Sequence, residues 1–173
     1  MAHLKIDDSA RLIGKLRLGN NTHIAQGTVV RSIDDSVVIE NSSLILENSV
    51  LIGNPEYPLH IGSKTVFGHK CIVLGAQVGD LCEIGNGVIL LPNSKVGNMC
   101  IFAEGTIIPE GCVIPDESVV VGRPGRIIRR LTDDDKKMIK RMRNNDISIA
   151  PYIENIINNQ LEEGEEMGKL YKY

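Results

Sequence analysis

Four histidines and four cysteines are the side chains of this 173-residue chain best suited to hold a metal or to act as nucleophile or base. The cysteines are Cys71, Cys82, Cys100 and Cys112, an even number that would allow disulfides or a metal. Their setting argues against both. No Cys-x-x-Cys occurs, and each cysteine stands two residues before a large apolar residue (Val73, Ile84, Phe102, Ile114). In such a slot cysteine serves as a compact hydrophobe, so all four are expected buried and unbonded. Among the histidines, His69 is the one whose register places it beside a carboxylate, Glu47. A carboxylate partner would orient the ring and fix its tautomer, as for a general base. The bland alternative is a hydrogen-bonded histidine with no catalytic task. His3 and His23 lie coils away, and His60 falls beyond a loop on the next face.

The element that must position these groups is a repeat. From Val78 a large apolar residue recurs every sixth position: Ile84, Leu90, Val96, Phe102, Ile108, Ile114 and Val120. The residue two places earlier is usually small. A period of six fits neither a helix nor a simple strand. It is the mark of a hexapeptide solenoid, in which short strands alternate with turns and three faces close one coil. Like positions then stack about 4.8 Å apart. The same repeat runs from Ile6, so the chain is expected to form an all-β parallel β-helix of about six coils over residues 1–122.

The repeat slips after Val30, Leu51 and Val73, three hexads apart each time, which puts all three irregularities at one corner. The loops are 31–38, 52–60 and 74–77. Loops on one side of a solenoid tend to carry the binding face. The register also sets two columns. Arg31, Ile52 and Leu74 share one, just past the inward residue of their face. Gln26, Glu47 and His69 share the other, on the preceding face.

Residues 123–131 read as an exit linker and 132–161 as C-terminal helices packed on the prism. Thr132 is a candidate N-cap before Asp133, Asp134 and Asp135. Met138, Ile139 and Met142 are expected on one buried helix face, and Ile149 to Leu161 form a second apolar stripe. Residues 162–173 read as a frayed tail. The basic run from Arg123 to Arg143 could hold phosphates, but a solvated face is the ordinary reading of a charge run. The net charge of -3 does not point to nucleic acid or membrane. No apolar run reaches membrane-spanning length and the first residues are no signal peptide, so a cytoplasmic location is expected.

Taken together, the hexads, the break loops, Phe67-Gly68-His69, Val121-Gly122-Arg123-Pro124 and the C-terminal helix resemble the γ-class carbonic anhydrase family. That family belongs to the hexapeptide-repeat (isoleucine-patch) group, which also holds many acyltransferases. The segment Asn54-Pro55-Glu56-Tyr57-Pro58-Leu59-His60-Ile61-Gly62, followed by Val66-Phe67-Gly68-His69, points to the carbonic-anhydrase-like branch. The resemblance implies left-handed coiling, a homotrimer and a divalent metal, usually zinc, held by three histidines between subunits. Carried over, the first ligand falls at Ile52, the second at His69 and the third at Leu74. Zinc catalysis needs three protein ligands and an open position, and here one imidazole remains. The family's Arg-Gly-Asp becomes Arg31-Ser32-Ile33, and its Gln-Asp becomes Leu46-Glu47.

What the resemblance implies is a γ-carbonic anhydrase-like protein with a degenerate metal site, no cofactor and no zinc carbonic anhydrase activity. Ile52 and Leu74 would lie on one chain, with His69 facing them from the next. The catalytic candidates are then His69, Glu47 and Arg31, at an interface pocket for a small molecule walled by Ile52, Leu74 and Tyr57. Two alternatives stay open. One is a coenzyme A-dependent acyltransferase, with Arg123 and Arg126 meeting the coenzyme phosphates. The other is a non-catalytic trimeric scaffold or binding protein.

Overall fold

The structure, a computed structural model, describes residues 4–144. Three parallel sheets run the length of the chain and close a left-handed β-helix. The first face starts with Lys5–Ile6 and ends with Ser118–Val121, the second runs from Arg11–Ile13 to Ile107–Ile108, and the third from Leu16–Leu18 to Val113–Ile114. Each strand of the coils is only two to four residues long, long enough to point one large side chain inward before the chain must turn. Most turns use the left-handed backbone region, at glycines such as Gly87 and Gly105 and also at Lys70, Leu81 and Met99.

The inward leads are as the repeat required. Ile24, Ile45, Phe67, Ile84, Phe102 and Val120 stack down the first face, all at most 2% exposed. Ile6, Leu12 and Leu18 are only partly buried, because they lie in the first coil with one neighbouring coil instead of two. The small slot holds residues that can also satisfy a carbonyl. Ser43 Oγ donates to Gly62 O (2.6 Å), Thr65 Oγ1 to Gly79 O (2.7 Å) and Cys71 Sγ to Gly68 O (3.2 Å). All four cysteines are free, and Cys71, Cys82 and Cys100 are buried. Cys112 departs from the expectation and is half-buried, because its face ends one strand later and no coil follows.

The three slips do fall at one corner, between the second and third faces, where Val29–Ser32, Val50–Gly53 and Ile72–Leu74 hand over to Val37–Ile39, Leu59–Ile61 and Gln77–Val78. The segment read as an exit linker contains a strand. Arg126–Arg130 turns back antiparallel to Ser118–Val121, pairing Val121 with Arg126, and ends the first sheet.

Asp133–Asn144 is a helix opened by a reciprocal cap: Asp135 N–H donates to Thr132 Oγ1 (3.2 Å), and Thr132 N–H donates to Asp135 Oδ2 (2.8 Å). The buried stripe is the expected one only at Ile139. Met138 and Met142 face solvent, at 38% and 43% exposure. Ile139 and Arg143, one helical turn apart, are the residues turned inward. Ile139 packs with Val119 and Leu131. The first face presents Glu83 beneath the last helical turn, so a cation takes the inward place there. Arg143 pairs with the Glu83 carboxylate and donates from Nε to Lys64 O (3.0 Å). Burial pushes the Glu83 carboxyl up, and the Arg143 guanidinium works against that shift. The second stripe, Ile149 to Leu161, and the tail 162–173 lie outside the described residues.

Candidate functional site

The corner between the first and second faces gathers the polar side chains. Just past each inward lead of the first face the register brings Gln26, Glu47, His69, Asn86 and Glu104 into one column. The column therefore belongs to the corner, where turn residues point outward, rather than to the preceding face as the sequence reading had it. Glu47 Oε2 stands 2.9 Å from His69 Nε2, one coil apart as expected. On the other side of the ring, Nδ1 lies 2.9 Å from Asn86 Oδ1. Asn86 Oδ1 also accepts the backbone N–H of His69 (2.8 Å), and Asn86 Nδ2 donates to Glu104 Oε1 (2.9 Å). The result is a hydrogen-bonded ladder of imidazole, carboxamide and carboxylate, with the Glu47 carboxylate close beside the ring but not hydrogen-bonded to it. Gly68 is what lets the ladder close: a Cβ there would fall 2.6 Å from Asn86 Oδ1.

Arg123 completes this side. Its Nε donates to Gly105 O (2.6 Å), which folds the guanidinium back over the bare Gly105. It thereby lines an open groove of about 600 Å³ together with His69, Lys70, Asn86, Glu104 and two glycines. Arg126, expected to act with Arg123, is not in that groove; it sits on the exposed returning strand. Much of the remaining basic run is paired within the described residues: Arg129 with Asp135, Lys136 with Glu117 and Arg143 with Glu83. His23, set aside as distant, is half-buried within electrostatic reach of Glu47; burial lowers its pKa and Glu47 opposes that.

Arg31, Ile52 and Leu74 do form one column, as direct Cα partners across three coils. It lies at the opposite edge of the second face, next to the loop corner. Tyr57 stands at that corner, held by Asn54 Oδ1 accepting its N–H (2.8 Å) and packed against the bare Gly75. A hydrogen bond to the Glu56 carboxylate pushes its phenol up. From His69 to Leu74 the chain crosses the whole second face, about 15 Å of extended strand. One chain thus carries two half-sites, His69 with Glu47 on one edge and Ile52, Leu74, Arg31 and Tyr57 on the other, and does not bring them together.

Burial pushes the Cys71 thiol up to about 11, and the adjoining Cys100 sulfur and burial push Cys82 up, so neither is a ready nucleophile. The Cys82 contact lowers Cys100 in turn, but that sulfur is buried in the core. Among the described residues no group of three or more His, Cys, Asp or Glu side chains stands where it could hold one metal ion. Asn86 and Glu104 escaped the sequence reading, which stopped the column at His69. Continuing it coil by coil would have reached both.

Three parallel faces with a six-residue register and Ser, Thr or Cys in the small slot define a hexapeptide-repeat solenoid. Known proteins place it further. The chain is 32% identical over 147 residues to a carbonic anhydrase of Geobacillus kaustophilus, across 85% of this chain and 81% of that protein. It is 27% identical over 148 residues to the mitochondrial gamma carbonic anhydrase 2 of Arabidopsis thaliana, of which it spans only 53%. Among solved structures, a hexapeptide transferase family protein from Anaplasma phagocytophilum superposes with a TM-score of 0.70 at 24% identity, over 84% of this chain and 90% of that one. No family model matches the chain. The chain belongs to the γ-class carbonic anhydrase-like family of hexapeptide-repeat proteins.

Proposed function

We propose that this γ-carbonic anhydrase-like protein works without zinc, as a trimer in which His69 of one protomer faces the Ile52–Leu74 column of the next across a pocket for a small organic ligand. The observation that carries this reading is the division of the site between the two edges of the second face. That face is apolar on its outside: Ile13 and Ile72 are 49% and 38% exposed, and Ile52 and Leu74 are half-buried. An apolar face of this kind suits a second copy of the chain. A rotated neighbour would set its Ile52 and Leu74 against His69. Aliphatic side chains have no lone pair, so the site would offer one imidazole where zinc needs three protein donors. What it keeps is a base, His69 Nε2, with the Glu47 carboxylate beside it to stabilise the ring once it has taken a proton.

Zinc content of the untagged protein, its light-scattering mass and carbon dioxide hydration test the proposal together. The expected result is a trimer with no stoichiometric zinc and hydration at background. The Ile52→His, Leu74→His double variant is expected to take up zinc in a manner that His69→Ala abolishes. Tight zinc in the unmodified protein, lost on His69→Ala, would falsify the reading.

Arg123 favours a second reading, acyl transfer from a coenzyme A thioester, because it lines the groove that holds His69. Calorimetry with acetyl-coenzyme A decides it: saturable binding weakened by Arg123→Ala supports transfer. If the coenzyme does not bind, the transfer reading falls.

A further inference from the structure

We propose that Asn86 and Glu104 are positioning residues that hold neutral His69 as its Nδ1–H tautomer, and so make Nε2 the nitrogen that exchanges a proton with a ligand. This rests on the reading of His69 as the base of the site.

The carboxamide of Asn86 is fixed in orientation from both ends. Its Oδ1 accepts the backbone N–H of His69 at 2.8 Å, and a backbone N–H can only donate. Its Nδ2 donates to Glu104 Oε1 at 2.9 Å, and an ionised carboxylate can only accept. Turning the amide over would set NH2 against N–H at one end and oxygen against oxygen at the other. With the amide held this way round, it is an oxygen that faces His69 Nδ1 at 2.9 Å. A neutral imidazole has one N–H, and Nδ1 is the ring nitrogen with an oxygen in hydrogen-bonding geometry; Glu47 Oε2 lies 2.9 Å from Nε2 but makes no hydrogen bond, so it does not claim the proton. Nε2 is then left with its lone pair. A ligand O–H or N–H presented there passes its proton to Nε2. The ring becomes the imidazolium, Nδ1–H keeps its bond to Asn86, and the new positive charge lies beside the Glu47 carboxylate.

Glu104 touches neither the ring nor Nε2. It acts through Asn86, one coil away, which separates a positioning role from a catalytic one.

Long-range 1H–15N correlation spectra of the full chain, recorded at a pH where His69 is neutral, read the tautomer directly. The His69 signals are assigned by their loss in His69→Gln. In the unmodified protein Nδ1–H is expected to dominate. Glu104→Leu frees the carboxamide to rotate and is expected to move the ratio toward Nε2–H by about three- to tenfold, the size of one exposed hydrogen bond. Glu104→Ala is expected to do the same without adding an apolar side chain. Glu104→Gln, which can still present an oxygen to Asn86 Nδ2, is expected to keep the original ratio. Residue 104 is exposed, so these variants do not disturb the core. A dominant Nε2–H form in the unmodified protein, or a ratio that neither Glu104→Leu nor Glu104→Ala moves, overturns the proposal. The readout does not depend on zinc, coenzyme or activity, so a failure of the proposed function and a failure of this inference are seen separately.

Discussion

At the corner between the third and first faces, Asp80, Asn98 and Asp116 follow one another down the prism. Each offers its Oδ1 to the backbone N–H one coil earlier: Ser63 (2.7 Å), Asp80 (2.8 Å) and Asn98 (2.7 Å). At the corner between the first and second faces, the same place in the turn holds His69, Asn86 and Glu104. Asn86 makes the same bond, to His69 N–H, but its neighbours are longer than the bond requires. A short Asp or Asn reaches only the backbone and is used up there. An imidazole or a glutamate extends past the backbone and meets the side chain of the next coil. The first kind of corner is a structural cap. The second leaves titratable groups in contact with one another and with solvent.

The two corners also differ in what covers them. The C-terminal strand and helix are tied to the first kind: Leu131 N–H donates to Glu117 O (2.8 Å), Arg130 Nη1 to Asp116 O (2.8 Å), and Arg143 Nε to Lys64 O (3.0 Å). Among the described residues the His69 corner has only Arg123, which reaches back to Gly105 and lines the groove. Chemistry on this prism is therefore to be sought where long polar side chains replace the Asx ladder and the described strand and helix do not lie over them.

The largest expected effect tests the shared backbone device. Gly68→Ala puts a Cβ 2.6 Å from Asn86 Oδ1 and 2.7 Å from its backbone nitrogen, and is expected to cost about 3 kcal/mol in urea unfolding. Gly79→Ala, against Asn98 and Gly97, is expected to cost a similar amount. Unequal costs would mean that the corners differ in backbone and not only in side chains.

The next effect tests the covering. Arg143→Met leaves Glu83 unpaired under the helix and is expected to cost about 2 kcal/mol, below the range for a fully buried pair because the carboxylate is partly exposed and can protonate. The sign of the pH dependence follows from Glu83. Its folded pKa lies above the unfolded one, so its contribution favours folding at pH below the unfolded carboxylate value and is lost as pH rises through the folded value. Glu83→Gln is expected to flatten the stability profile across that window. A profile identical to that of the unmodified protein would count against burial as the cause of the shift.

The smallest effect separates the corners. Asn86→Ala and Asn98→Ala each remove one carboxamide from a backbone N–H and are each expected to cost about 1 kcal/mol. Only Asn86→Ala is expected to change the 15N shifts of His69. If Asn98→Ala changes them equally, the His69 ladder is no more than another cap.

The hexad spacing alone determined the solenoid, the inward leads, the shared corner of the three loops, the meeting of His69 with Glu47 and the Arg31–Ile52–Leu74 column. The reason is geometric. In a parallel solenoid the neighbour of a residue is the residue one coil later, so contact reduces to counting along the chain. The same counting holds Asn86 and Glu104, and they were passed over only because the column was followed no further than His69. Other features were decided by the tertiary structure. Counting ends where the repeat ends, so the return of Arg126–Arg130 as an antiparallel strand was not in the register. A helical stripe names a face but not what lies under it. With Glu83 beneath the last turn, Arg143 went inward and Met138 and Met142 outward, because an unpaired buried carboxylate costs more than two exposed thioethers. Nor could spacing show that Arg123 folds back toward His69 while Arg126 does not. That follows from a bare Gly105 with a free carbonyl within reach of one guanidinium and not of the other.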